Sequence, residues 1–458
     1  MRTYVLDSSE KTPLYEQLYR ALKEDILSGA LRGGEKLPSK RALAEHLNVS
    51  RITVENAYNQ LLTEGYLQSR PRSGYYVEQL DALPRPLPPS VQLLPPQEPP
   101  APPSPSAGQF PFSIWAKLMR GVLLDQHDLL LRSPPNTGLL ALRQAIAGML
   151  RRSRGMEVSP ERIIIGAGAE YLYNILIQLL GRENCFGLEN PGHQKIRRVY
   201  EANSVALCPV ALDESGVDMR ALMASGANVL HISPSHQFPT GLVTPIGRRR
   251  QLMAWLGSRP DRWLIEDDYD SEFRFSGRVI PTMYSMDAIG RVIYMNTFSK
   301  TITPALRISY MILPEPLMAR YHQKLGFYSC TVPSFEQLTL ARFLDEGYFE
   351  KHVSRMKRHY RLLRTEFLTL LRQSPCADKM AVQGEEAGLH FLLRLETGLP
   401  DQAVEAALGK AGIRAASLSR YQSGPPDPES RGRVVIQYSD LAAADLPRVV
   451  KVLEELTI

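Results

Sequence analysis

Two folded units of different class are expected in this chain: a small α+β module at residues 1–80 and a large α/β domain at residues 110–458. Three observations predict them. Apolar residues first recur at helical spacing and then alternate in a short strand pair up to about residue 80. After Phe110 the pattern becomes apolar strands alternating with amphipathic helices. Between the two, residues 84–105 hold eleven prolines in 22 positions, which can neither pack a core nor sustain a hydrogen-bond ladder. Residues 81–109 therefore read as a linker, reaching on the order of 65 Å if extended as polyproline II.

Composition narrows the setting. A chain of 458 residues exceeds one ordinary core. No apolar run approaches the ~18–20 residues of a membrane span, and the start, Met1-Arg2-Thr3-Tyr4, lacks the apolar centre of a signal peptide. Cys185, Cys208, Cys330 and Cys376 lie far apart without Cys-x-x-Cys spacing, so neither disulfides nor a structural zinc is expected and a reducing cytoplasm is. The net charge is +6, yet residues 1–80 hold 11 Lys/Arg against 10 Asp/Glu. Nucleic-acid binding must then rest on where the basic residues stand rather than on bulk charge.

In the small module Pro13 opens a helix whose buried stripe is Leu14, Leu18, Leu22 and Ile26. Ser39 caps a second helix with Leu43, Ala44 and Leu47 inward, Asn48-Val49 turn the chain, and Ser50 caps a third helix. The stripe of the third is Val54, Ala57, Tyr58, Leu61 and Leu62. Gly65-Tyr66-Leu67 and Ser73-Gly74-Tyr75-Tyr76-Val77 alternate as a two-stranded wing. A third helix that presents Arg51, Thr53 and Asn56 suits base edges in a major groove, Arg51 forking onto guanine and Asn56 onto adenine. Ser39, Lys40, Arg41 and Ser50 suit phosphates at helix N-termini, and Arg70, Arg72, Ser73 and Gly74 form the wing tip. Glu55 is awkward on such a face and is expected to point sideways or to meet a cytosine amino group.

The run Leu37-Pro38-Ser39-x-Arg41-x-Leu43-Ala44, followed by Val49-Ser50-Arg51-x-Thr53-Val54-x-x-Ala57-Tyr58-x-x-Leu61 and Glu64-Gly65-Tyr66-Leu67, resembles the winged helix-turn-helix of GntR-type bacterial regulators. That family usually carries Gly-Ser-Gly in the wing, where this chain has Arg72-Ser73-Gly74.

In the large domain each polar cluster comes directly after an apolar strand, where open α/β sheets place ligands. Ile163-Ile164-Ile165 leads into Gly166-Ala167-Gly168-Ala169-Glu170, a small-residue turn that lets backbone N–H groups approach a phosphate. Glu189-Asn190-Pro191-Gly192-His193 and Ser233-Pro234-Ser235-His236-Gln237-Phe238-Pro239-Thr240-Gly241 succeed two more strands. Trp263-Leu264-Ile265 leads into Glu266-Asp267-Asp268-Tyr269-Asp270-Ser271-Glu272-Phe273, and Arg291–Met295 leads toward Thr297-Phe298-Ser299-Lys300. A lysine amine, a carboxylate for a pyridine nitrogen and a tyrosine hydroxyl are the groups that hold pyridoxal 5'-phosphate. The acidic run lacks a calcium-loop glycine, so no metal is expected.

These motifs resemble the fold-type I aminotransferase domain, and the whole chain resembles the MocR subfamily of GntR-type regulators. The resemblance implies a Schiff base at Lys300, Asp267 on the pyridinium nitrogen, Tyr269 and His236 near the ring oxygen, and His193 against the ring face. It places the phosphate on Thr297, Ser299, Arg307 and the backbone of Ala169 and Glu170. True aminotransferases end on an arginine that grips the substrate carboxylate; Val435 stands at that position here, with Arg431 and Arg433 nearby as substitutes and Lys195 where a relative has arginine. The expected function is a homodimeric regulator that binds double-stranded DNA in the bacterial cytoplasm and nucleoid. Its effector would be pyridoxal phosphate itself or an amine or amino acid. The alternative is a working aminotransferase with an accessory DNA-binding domain.

Overall fold

The computed structural model describes residues 2–9, 12–79, 110–275, 280–385, 388–425 and 427–457, so the proline linker lies outside the described residues. The chain divides into two compact units, Met1–Ala101 and Pro102–Ile458.

The first unit is α1 (Leu14–Leu27), α2 (Lys40–Leu47), α3 (Arg51–Thr63), β1 (Leu67–Arg70) and β2 (Gly74–Val77). Pro13 sits at the N-cap of α1, one position before the helix. Ser39 accepts the amide of Ala42 and Ser50 that of Thr53, so each serine satisfies a donor that its helix leaves free. Leu18, Leu22, Val54, Ala57, Tyr58 and Leu61 are essentially solvent-free and make the core. β1 and β2 pair antiparallel, with Leu67 opposite Val77 and Arg70 opposite Gly74.

The second unit is built on an eight-stranded sheet. Its strands are β3 (Ile163–Gly166), β4 (Cys185–Asn190), β5 (Ala206–Asp213), β6 (Gly216–Val217), β7 (Val229–Ile232), β8 (Trp263–Asp267), β9 (Val292–Thr297) and β10 (Ser309–Ile312). They lie in the order β3-β10-β9-β8-β7-β4-β5-β6. β5, β4, β7, β8 and β9 run parallel, while β10 is antiparallel to both β9 and β3. Strands buried on both faces need apolar residues throughout, and β3, β7 and β8 are buried over nearly their full length. The parallel strands end together, so the segments after β4, β7, β8 and β9 converge on one edge. A second, antiparallel sheet comes next: β11 (Met380–Gln383), β12 (Phe391–Leu395), β13 (Ala415–Ser417) and β14 (Arg433–Ile436), in the order β11-β12-β14-β13. Phe391, Leu393, Val434 and Ile436 pack there against the helices Tyr348–Gln373 and Leu446–Leu456.

One sequence expectation is overturned. Cys185 and Cys208 form a disulfide, with their Cα atoms 6.3 Å apart. They are distant in sequence, but the parallel pairing of β4 with β5 puts Cys208 opposite Gly187, two positions along from Cys185. Among the described residues, no helix is long and apolar enough to cross a membrane.

Candidate ligand cavity and nucleic-acid interface

In the first unit, α3 presents Arg51 and Asn56 exposed. Ile52, 68% exposed at the second position of α3, was not singled out from the sequence. An exposed apolar residue at the start of a recognition helix suits a thymine methyl. Thr53 is half-buried and its hydroxyl is 2.8 Å from that of Ser50, so both belong to the helix cap. Arg41 is exposed, paired with Glu45 at 2.8 Å. Lys40 differs from expectation. Its amine is held by Glu55 at 2.8 Å and lies over the Tyr75 ring, 5.2 Å from the centroid, with only 15% of the side chain exposed. It ties α2 to α3 and the wing instead of reaching outward for a phosphate, and it accounts for Glu55. At the wing, Arg70 stacks on Tyr76 at 4.5 Å and the Ser73 hydroxyl lies 2.6 Å from the Tyr76 hydroxyl. Arg72 takes a positive φ of 61°, the backbone state that glycine tolerates best. Gly74 has φ 118°.

In the second unit, the strand edge opens into a cavity of about 230 Å³. Ala169, Glu170, His193, Lys195, Asp267, Tyr269, Thr297, Ser299, Lys300 and Arg307 all line it. Asp267 is the last residue of β8 and is buried; Tyr173 donates to it at 2.6 Å and His231 Nε2 stands 3.5 Å away. His231 thus stands beside the carboxylate without a hydrogen bond to it among the described residues, while Tyr200 lies 2.8 Å from its other nitrogen. Lys300 lies just beyond β9 with its side chain exposed to the cavity, and no hydrogen bond or ion pair reaches its amine among the described residues.

The opposite end is an anion seat. The helix Ala169–Leu180 starts after Gly168, at φ 92°, and a Cβ on Gly168 would collide with the Arg307 guanidinium. Arg307 itself holds φ 51°, a conformation costing on the order of 1–2 kcal/mol outside glycine, and outliers of this kind concentrate at ligand sites. It reaches Glu170 at 2.7 Å, and Lys195 pairs with the same carboxylate. Burial pushes the Glu170 carboxyl up, but hydrogen bonds from Lys195, its own amide and Arg307 prevail and hold it at about 2. Three donors thus converge on one negative charge at a helix N-terminus, the arrangement a phosphate requires. Thr297 accepts from Ser299 N–H at 3.2 Å and from the Ser309 hydroxyl at 2.8 Å, fixing the turn beneath Lys300. His193 opens onto the cavity from the N-cap of the helix Gln194–Ala202, its ring 5.0 Å from Phe238. Desolvation by the cavity walls lowers its pKa below the ordinary imidazole value, although the residue retains exposed surface.

Three expected residues stand elsewhere. Arg431 and Arg433 are not among the residues lining the cavity; the Arg431 guanidinium bonds the Gly398 carbonyl at 3.2 Å. Arg433 begins β14 opposite Arg394, at the end of the strand away from Gln437 and Ser439, which do line the cavity. Val435 is buried against Phe238, Leu392 and Leu418 and does not line the cavity, so this segment meets it through Gln437 and Ser439, with no arginine where one was sought. His236 lies behind Tyr269, 3.3 Å from its hydroxyl, and borders an adjoining smaller cavity. Tyr173, Phe238, His390 and Tyr421 line the main cavity without having been assigned to it from sequence. Their motifs are distant in the chain, and only the fold brings them together.

A DNA-binding winged helix ahead of an aminotransferase fold defines a class of regulator that uses a cofactor-enzyme scaffold for control. Residues 14–77 match the gntR family of bacterial regulatory proteins, and residues 106–453 match class I and II aminotransferases. The HTH-type transcriptional regulator YdeL of Bacillus subtilis, itself uncharacterized, is 38% identical, the match covering 93% of each chain. The probable rhizopine catabolism regulatory protein MocR of Rhizobium meliloti is 34% identical over 92% of this chain and 90% of that one. The pyridoxine biosynthesis transcriptional regulator PdxR of Corynebacterium glutamicum is 33% identical over 92% and 91%. Among solved structures, an archaeal alanine:glyoxylate aminotransferase superposes with a TM-score of 0.69 over 78% of this chain and 88% of that one; at 21% identity this shows the fold alone. The chain belongs to the MocR subfamily of GntR-type regulators and is a transcription regulator.

Proposed function

We propose that this regulator senses pyridoxal phosphate, or an amine that condenses with it, through Lys300, and that occupancy of the cavity biases how its winged helices engage DNA. The observation that carries the reading is one cavity with a lysine amine that has no partner among the described residues, a buried carboxylate and a helix N-terminus at its edge. Asp267, braced by the Tyr173 hydroxyl, would hold a proton on the pyridine nitrogen. Tyr269 would face the ring oxygen and His193 the ring. Arg307, Ser299, Thr297 and the amides of Ala169 and Glu170 would take the phosphate. When bound, pyridoxal phosphate supplies an aldehyde for the Lys300 amine and a protonated ring that withdraws electrons.

The lack of an arginine from β14 in the cavity lining, with Lys195 already paired to Glu170, favours the cofactor itself or an amine lacking an α-carboxylate as the effector. Regulation then requires differential affinity: moving a two-state equilibrium from 1:99 to 99:1 takes about 5.5 kcal/mol, and attachment at Lys300 contributes to it to the extent that it forms in one arrangement in preference to the other. We place the regulator as a homodimer in the bacterial cytoplasm, on the nucleoid when bound. Turnover as an aminotransferase is the second reading. The combination of Lys300, Asp267 and Tyr269 favours it, and the valine at position 435 weighs against it.

Purified protein should show a visible absorption that borohydride and Lys300→Ala both abolish, with no steady transamination of common amino acids. Absence of the absorption would remove both readings. Steady turnover would promote the second.

A further inference from the structure

We propose that His236, His390 and Asp270 form a site for a divalent transition-metal ion of the zinc class, between the ligand cavity and the antiparallel sheet. This assignment does not depend on what the main cavity binds. His236 and Asp270 come after β7 and β8, while His390 immediately precedes β12, so three distant segments of chain contribute one side chain each. All three are buried, and one donor atom from each lies within 4.8 Å of the others.

The hydrogen bonds show which ring nitrogens are engaged. His236 Nδ1 is 2.8 Å from the Asp270 carboxylate, closer than the Tyr269 hydroxyl at 3.3 Å, so an ion taking the place of the proton between them would meet both donors. The Pro239 carbonyl bonds the ring of His390, and a carbonyl only accepts. His390 is thus left with its lone pair on Nε2. Both Nε2 atoms are buried without a hydrogen-bond partner among the described residues. The two ring centroids lie 4.4 Å apart, with the planes tilted by 46°. The buried His390 lone pair, next to the His236–Asp270 pair, calls for an electron-pair acceptor.

The surroundings hold the rings for that task. His236 packs directly over Gly388, whose Cβ position its imidazole would overlap, so the glycine leaves room for the ring. Zinc-class ions bind imidazole nitrogen at about 2.0–2.1 Å in tetrahedral geometry, which sets donor atoms about 3.3 Å apart. Closing from 4.8 Å or less asks for shifts on the order of 1 Å, within side-chain adjustment. Two imidazoles and one carboxylate match zinc, nickel or copper rather than calcium or magnesium. His390 also lines the main cavity, so the fourth position of the ion would face an incoming ligand.

The test uses the full-length chain, freed of affinity tag and stripped with chelator, titrated with Zn²⁺ in a calorimeter. One equivalent per chain binding tighter than about 10 μM is expected, with affinity reduced about 100-fold in His390→Gln and at least about 10-fold in Asp270→Asn. Because a buried variant can fail to fold, zinc-edge X-ray absorption on the loaded wild-type protein supplies a second readout and should show two imidazoles and no sulfur. Absence of a tight equivalent, unchanged affinity in His390→Gln with the fold intact, or sulfur in the absorption spectrum would each overturn the proposal. Absence of binding would mean that the rings share a proton or a water instead.

Discussion

Glu170 occupies the seat proposed for a phosphate, and neutralising it is the most informative single change. Its carboxylate takes Arg307 at 2.7 Å and its own amide, two donors proposed for the phosphate, and also Lys195. Bound cofactor must displace this carboxylate or sit beside it. Two charges about 4 Å apart repel by roughly 1 kcal/mol at the dielectric of water and about 2 kcal/mol at half that value; with a quarter of the side chain exposed, the effective value falls in this range. Glu170→Gln keeps an acceptor for Arg307 and removes the charge. It should therefore tighten pyridoxal phosphate binding by about 5- to 30-fold, at roughly 1.4 kcal/mol per decade. Titrating cofactor into stripped protein and following visible absorption measures it. Weaker binding in Glu170→Gln would refute the reasoning, because it would mean that the carboxylate organises Arg307 and Lys195 rather than competing for them.

Other changes separate recognition from folding. Arg51→Ala should cost about 1–3 kcal/mol of discrimination at one base pair, read by competition among operator variants. Lys40→Ala should leave the salt dependence of DNA binding unchanged and lower the melting temperature instead, since its amine is held by Glu55. Leu61, fully buried in the first unit, should cost about 2–5 kcal/mol on truncation to alanine, seen in denaturant unfolding. Glu266 is buried beside Arg249 and accepts the amides of Met283 and Tyr284; burial, with the Asp268 charge, raises its carboxyl from 4.5 to about 7. A raised acid takes up a proton on folding, so its contribution to stability is complete below about 4.5 and is lost as pH rises through about 7. Thermal melts from pH 4.5 to 8 should lose that component of their slope in Glu266→Gln.

How much was legible in the sequence depends on the reach of each interaction. Ser39 and Ser50 were legible as caps because a cap is decided within three residues. The positions of Asp267 and Lys300 were legible because each stands at or just beyond the end of an apolar strand, and parallel strands deliver their ends to one edge of the sheet. Partners across the fold were not. Lys40 and Glu55 are 15 residues apart, Tyr173 and Asp267 94, and His236 and Asp270 34. The cysteine pair needed the register of β4 on β5. Arg431 and Arg433 illustrate the remaining difficulty: near a strand, a few positions along the chain decide which end of the sheet a side chain occupies, and these two sit at the end remote from the cavity.

The central claim is that Lys300 is retained for control. Binding of promoter DNA by the full-length protein, measured with and without pyridoxal phosphate in wild type and Lys300→Ala, tests it most directly. The account predicts that the cofactor shifts wild-type affinity or footprint and leaves Lys300→Ala unmoved, with both proteins folded. An identical response in the two proteins, or none in either, would contradict it.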